Sequence, residues 1–177
     1  MKNLAPILII LLCLNSCKSS KGVATKKPKE DKVSEIIINR IPISTDVKTD
    51  SLANSIIDYA KQFDGVKYKY GGTTKKGMDC SGLITTAFKS KDILLPRSSK
   101  NMANVGNLIG INEVQKGDLL FFATQKNSDT INHVGLVTDV RPGFVEFIHA
   151  TTSLGVIISN LAERYWHFAF VQARRIL

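Results

Sequence analysis

Apolar positions change their spacing twice along this chain. Leu4 to Leu14 is an almost unbroken apolar run behind Met1-Lys2-Asn3, with Pro6 inside it. Residues 18–50 are dominated by Lys, Ser, Thr and Asp, carry Pro28 and Pro42, and offer one apolar patch, Ile36-Ile37-Ile38. They read as a tether, with too little apolar surface for a core. From Ser51 onward Leu52, Ile56, Ile57, Tyr59, Ala60 and Phe63 recur at helical spacing behind a capping Asp50 or Ser51, and Gly65 ends the helix. An extended piece, Val66 to Tyr70, leads into a turn over Gly71-Gly72 and the polar residues to Gly77. A second helix opens at Asp79 or Cys80 and runs through Leu83, Ile84, Ala87 and Phe88. Leu94-Leu95-Pro96-Arg97-Ser98-Ser99 breaks it, and Ser98 caps a short third helix through Met102 and Val105.

Beyond that point the period shortens. Leu119 to Ala123, His133 to Thr138, Phe144 to His149, Val156 to Ile158 and Phe168 to Val171 are short apolar or alternating runs separated by turn-rich pieces, as strands are. Helices first and strands afterwards predict an α+β layer fold, N-terminal helices on an antiparallel sheet of five to six strands. There is no internal repeat.

Length and charge refine this picture. The chain has 177 residues, enough for one domain with length left for a leader. Its net charge of +9 comes partly from Lys18, Lys21, Lys26, Lys27, Lys29 and Lys32 in the tether. No basic stripe with interleaved aromatics occurs in the remainder, which argues against nucleic-acid binding. The positive start and short apolar run have the size and polarity of a secretory signal, too short to span a bilayer comfortably. The run ends in Leu14-Asn15-Ser16-Cys17, which resembles the lipobox of bacterial lipoproteins. That resemblance implies cleavage before Cys17, lipidation of Cys17, and a membrane anchor, since each buried methylene adds about 0.8 kcal/mol. With Lys18 after the anchor cysteine, the outer membrane is the expected destination if the organism has one. The expected organisation is therefore a signal over 1–16, a lipidated basic tether over 17–50 and a folded domain over 51–177. Cys13 would leave with the signal, so Cys80 is the only thiol of the mature domain.

Cys80 sits in Gly77-Met78-Asp79-Cys80-Ser81-Gly82-Leu83-Ile84, at the start of a helix, where free N–H groups and the helix dipole favour a thiolate. The chain has three histidines. His133 heads one strand and His149 ends the next, and the turn at Arg141-Pro142-Gly143 would bring both to the same end of the sheet. His167, beside Trp166 in the last strand region, reads as structural or as surface. Three readings of the cysteine stand open on these residues. It is a buried thiol, a zinc ligand together with His133 and His149, or a nucleophile with His133 as base and His149 orienting the base.

Six ordered blocks distinguish among them. Tyr68-Lys69-Tyr70-Gly71-Gly72, Asp79-Cys80-Ser81-Gly82-Leu83, Leu95-Pro96-Arg97-Ser98, Gly117-Asp118-Leu119-Leu120-Phe121-Phe122, His133-Val134-Gly135-Leu136 and His149-Ala150 resemble the NlpC/P60 family of papain-like cysteine peptidases over residues 51–177. The resemblance implies that Cys80 is the nucleophile, His133 the general base and then acid, and His149 the polar residue that holds His133. It puts Tyr68 beside the nucleophile, with Asp79, Ser81 and Arg97 lining or supporting the cleft. It implies hydrolysis of amide bonds in peptidoglycan stem peptides, such as that between D-glutamate and a diamino acid or a cross-link; the protein is expected to be a monomer and to need no metal or other cofactor. Substrate recognition would then fall to the cleft, the anchor, the tether or an adaptor protein. Against an enzyme stand two rivals: a lipid-anchored module that binds cell wall without cutting it, and a related amide acyltransferase.

Overall fold

The computed structural model describes residues 45–177. The expected signal, Cys17 and the tether as far as residue 44 lie outside the described residues. Helix α1 spans Thr45–Lys61, starting ahead of the expected Ser51. The polar Thr45-Asp46-Val47-Lys48-Thr49-Asp50 turn carries no apolar periodicity that would reveal it. Ala53, Ile56, Ile57 and Ala60 are buried at the i, i+3, i+4, i+7 spacing of one helix face.

A strap follows α1. Val66 to Asp79 folds back on itself through the two-residue strands β1 (Thr73–Thr74) and β2 (Gly77–Met78), read from sequence as a turn alone. Lys69 N–H donates to the Met78 carbonyl at 3.0 Å and Met78 N–H to the Lys67 carbonyl at 3.1 Å. This fixes the entry to helix α2, Cys80–Lys89, whose Leu83, Ile84 and Phe88 are fully buried. Each such side chain contributes about 1.5–3 kcal/mol by leaving water. Helix α3, Ser99–Met102, is capped by the Ser98 hydroxyl, which accepts from Asn101 N–H at 3.3 Å.

Six antiparallel strands make the main sheet. They are β3 (Asn107–Ile109), β4 (Leu119–Phe122), β5 (His133–Arg141), β6 (Phe144–Thr151), β7 (Gly155–Asn160) and β8 (Phe170–Arg175), in the spatial order β3-β8-β4-β5-β6-β7. β4 reads as an unbroken apolar run because both its faces are covered. Leu119 and Phe121 pack with α1 and α2, whereas Leu120 and Phe122 join Val137, Phe147, Leu161, Trp166 and Ala169 on the other side.

The expectation for the end of the chain needs correction. Phe168 and Ala169, expected to begin the last strand, belong to a short helix α4, Arg164–Ala169, and β8 starts only at Phe170. Trp166 and Ala169, three residues apart, are buried together while Tyr165 and Phe168 are exposed, a helical and not an alternating pattern. His167 is accordingly an exposed helical residue. The short β3, bounded by polar and glycine residues, gave no strand signal at all.

Candidate active site

Asp79 is the N-cap of α2, with extended backbone, and its Oδ1 accepts from Gly82 N–H at 2.7 Å. Its Oδ2 accepts from Gly71 N–H at 2.7 Å, which ties the strap to the helix start. Arg97 closes the arrangement by donating to Oδ1 at 2.8 Å and Oδ2 at 2.9 Å of Asp79 and to Ser81 Oγ at 2.7 Å. Burial raises the affinity of Asp79 for a proton, but the Arg97 guanidinium and the Gly82 and Gly71 N–H groups outweigh it, so its carboxyl is held below the usual range. Asp79, Ser81 and Arg97 are thus joined in one network that fixes the first turn of α2. Gly82 is required there, because a Cβ on it would collide with the Gly72 carbonyl oxygen.

That first turn presents Cys80, which is buried and unpaired. Burial pushes its thiol up, and the nearby Asp79 charge adds to this; N–H groups of Val134, Ser81 and Cys80 itself work in the opposite direction. The net direction corrects the thiolate expected from the helix dipole: desolvation outweighs the favourable N–H groups.

His133 and His149 do meet. Leu136 of β5 lies opposite Ile148 of β6, which puts Gly135 across from His149 and His133 diagonal to it. Nε2 of His133 and Nδ1 of His149 are 2.9 Å apart in a buried hydrogen bond. Gly135 makes room: a Cβ there would run into the Phe147 ring, which packs on His149 at 4.7 Å between centroids. Trp166 stacks on His133 at 5.4 Å and meets the His149 ring edge-on at 4.5 Å. Burial lowers the His133 pKa to about 4. Burial, and secondly the proximity of His133, lowers that of His149 to about 3. At neutral pH the site therefore holds a thiol and two uncharged imidazoles. The zinc alternative is not met, since the two rings bond to each other and no group of three metal-holding side chains occurs among the described residues.

Cys80 opens onto two cavities. One, of about 420 Å³, is bordered by Tyr68, His133, Leu154, Ser159, Tyr165 and Trp166. The other, of about 540 Å³, is bordered by Tyr68, Tyr70, Ser81, Arg97, Ser98 and Asn132. Tyr68 borders both, and its phenol is pushed up by burial first and by the Asp79 carboxylate as well, so it stays protonated. The loop from Thr124 to Asn132 is pinned at its ends, with the Thr124 N–H and hydroxyl both donating to Asn132 Oδ1, at 2.8 and 3.1 Å.

Sequence reasoning assembled Tyr68, Asp79, Cys80, Ser81, Arg97, His133 and His149, and the fold gathers all of them at one end of the sheet. It missed Asn132, Ser159 and Trp166. Trp166 lies beside a stretch whose alternation reads as strand, and no local pattern in the sequence marks Ser159.

The profile of the NlpC/P60 family matches residues 65–175. The chain is 30% identical over 177 residues to the Escherichia coli K12 protein named murein DD-endopeptidase MepS/murein LD-carboxypeptidase, covering 97% of this chain and 90% of that protein. It is 40% identical over 120 residues to the probable endopeptidase NlpC of the same organism, covering 67% of this chain and 75% of that protein. Among solved structures, an NlpC/P60 family protein from Bacillus cereus superposes with a TM-score of 0.64 at 32% identity, over 71% of this chain. The match spans only 40% of that longer protein.

Proposed function

The chain belongs to the NlpC/P60 family of cysteine peptidases, and from that premise we propose that it cleaves amide bonds in peptidoglycan stem peptides while anchored to a membrane through lipid on Cys17. The bond between D-glutamate and the diamino acid, or a peptide cross-link, is the target. The observation that carries the reading is the shared opening of Cys80 and His133 onto one cavity, with Nε2 of His133 held 2.9 Å from His149. That bond occupies Nε2 of His133, so in this reading Nδ1 is the ring nitrogen that takes the thiol proton.

The chemistry follows from the uncharged resting pair. Nδ1 of His133 takes the Cys80 proton as Sγ attacks the scissile carbonyl carbon. The resulting oxyanion is met by the Tyr68 hydroxyl and the Cys80 backbone N–H. The tetrahedral adduct collapses, Nδ1 returns the proton to the leaving amine, and a thioester remains on Cys80. Water then attacks the thioester with His133 again as base, releasing the carboxylate product and restoring the thiol. His149 keeps the imidazole oriented and receives the Nε2–H bond that strengthens once His133 is charged. Asp79, Ser81 and Arg97 act at one remove, by fixing the turn that carries the nucleophile.

The test is incubation of soluble protein beginning after Cys17 with defined muropeptides, followed by mass spectrometry beside Cys80→Ala. The expected outcome is a new fragment pair that depends on Cys80 and whose masses name the bond. Binding of the muropeptides without any product would instead identify a non-catalytic wall-binding module, and a product joined to an added amine would identify an acyltransferase.

A further inference from the structure

On β7, Ser159 is opposite Phe147 in register and so shares a sheet face with His149. Its Oγ is 3.0 Å from Nε2 of His149, in a buried contact. The chain of contacts thus runs from His133 through His149 to Ser159 across three neighbouring strands. Ser159 also borders the cavity onto which Cys80 opens. No second hydrogen-bond partner of the Ser159 hydroxyl occurs among the described residues.

We propose that Ser159 is a positioning residue whose hydroxyl oxygen, by accepting the Nε2–H of His149, fixes the tautomer and ring plane of His149 and through it those of His133. The direction of the hydrogen bonds follows from the chemistry. His133 must keep Nδ1 bare to accept the Cys80 proton, so its own hydrogen is on Nε2 and points at Nδ1 of His149. Nδ1 of His149 is then an acceptor, which puts the hydrogen of His149 on Nε2, facing Ser159. When His133 becomes an imidazolium both its nitrogens carry hydrogen, and the same direction is enforced a second time. The opposite direction, with Ser159 donating to His149, ends with a hydrogen on Nδ1 of His133 and leaves that nitrogen unable to act as base. Only one proton moves during attack, from Sγ to Nδ1; those on Nε2 of both rings stay in place.

Burial makes this contact matter. The His149 ring is enclosed by Trp166 and Phe147, so an alternative partner for Nε2–H would have to be found in an apolar box. Because Oγ is used as an acceptor, the hydroxyl hydrogen remains available to the cavity. The bound substrate thereby has an opportunity to engage it without breaking the relay.

This inference rests on His133 being the base, so its test reads both substrate turnover and a property independent of substrate. The variants are Ser159→Ala, which removes the acceptor, and Ser159→Thr, which keeps a hydroxyl on a residue suited to a strand. Turnover of the muropeptide identified with wild-type protein should fall in kcat by about tenfold to a hundredfold for Ser159→Ala with KM within about twofold, the range for a hydrogen bond onto a charged group. Ser159→Thr should recover most of the loss. In ¹⁵N-histidine NMR of the folded proteins, the wild type and Ser159→Thr should carry the His149 hydrogen on Nε2, and Ser159→Ala should show it shared with Nδ1. Wild-type activity in a folded Ser159→Ala, a Thr variant as poor as the Ala variant, or a wild-type His149 protonated on Nδ1 would each overturn the proposal. Absence of Cys80-dependent products in the wild type would instead count against the peptidase reading, while the NMR result would still decide the tautomer.

Discussion

Cys80 combines burial with access to two cavities, and these pull its chemistry in different directions. Burial raises the thiol pKa while His133, nearly enclosed, is brought down to about 4, so neither the thiolate nor the imidazolium is favoured before substrate arrives. A thiol of this kind reacts only when a base is aligned with an electrophile. At pH 7 iodoacetamide should therefore alkylate Cys80 more slowly than it alkylates a short unstructured cysteine peptide, with the rate climbing as pH is raised past the usual thiol range. Mass spectrometry of timed samples measures this, and labelling faster than that of the peptide at pH 7 would refute the neutral resting pair. The position of Cys80 at a helix start was legible in the sequence because a capping Asp79, a helix pattern and Gly82 surround it. Its protonation state was not legible, because the burial that raises the thiol comes from a core in which residues of distant elements, such as Val134 of β5 and Ile148 of β6, pack together with Cys80.

Among the elements, α2 depends most on its first turn. Asp79 accepts two backbone N–H bonds and the Arg97 fork, so Asp79→Ala leaves three sets of donors without their acceptor. The cap alone is worth about 0.5–2 kcal/mol, and the orphaned donors should bring the loss to the upper end of that range or beyond it. Asp79→Asn, which retains a cap oxygen, should lose less. Urea unfolding of the three proteins gives the comparison, and equal midpoints for Asp79→Ala and the wild type would rule out the network as a stabilising device. A side chain at Gly82 would meet the Gly72 carbonyl, so Gly82→Ala should cost about 1–3 kcal/mol and shift Cys80 from its place. Circular-dichroism melting checks the first effect and muropeptide turnover the second. At this scale the long runs were legible and the short ones were not. β4 announces itself by four apolar residues, and the Arg141-Pro142-Gly143 turn gave the pairing of β5 with β6. Ser159 escaped notice because its place beside His149 depends on the register of β7 against β6, which no local pattern specifies. The residues from Phe168 onward imitate a strand because their alternation begins inside α4, where Trp166 and Ala169 set a helical face.

The whole molecule holds two uncharged histidines in its interior, and acid should act on both. Unfolded histidine titrates near 6.5, whereas folded His133 and His149 titrate near 4 and near 3. Between those values the unfolded chain binds more protons than the folded one, so stability rises with pH across the window and is lost as pH falls below about 6.5. For His133 the difference corresponds to on the order of 3 kcal/mol by pH 4. Asp79, whose carboxyl is depressed by Arg97, adds a further loss when acid protonates it at still lower pH. Urea midpoints measured from pH 7.5 down to pH 4 should fall continuously, and His133→Gln should flatten the slope. A midpoint unchanged over that range would refute the burial of neutral imidazoles.

The spatial order β3-β8-β4-β5-β6-β7 has one more consequence, and it concerns time. Every residue assigned to the chemistry precedes β8 in the chain, yet β8 fills the slot between β3 and β4. A nascent or prematurely terminated polypeptide that already carries cysteine, both histidines and serine still lacks the strand that joins β3 to β4. If that strand is needed to hold the sheet together, the site would be completed only once β8 has emerged and docked, so that shorter fragments would be born unarmed.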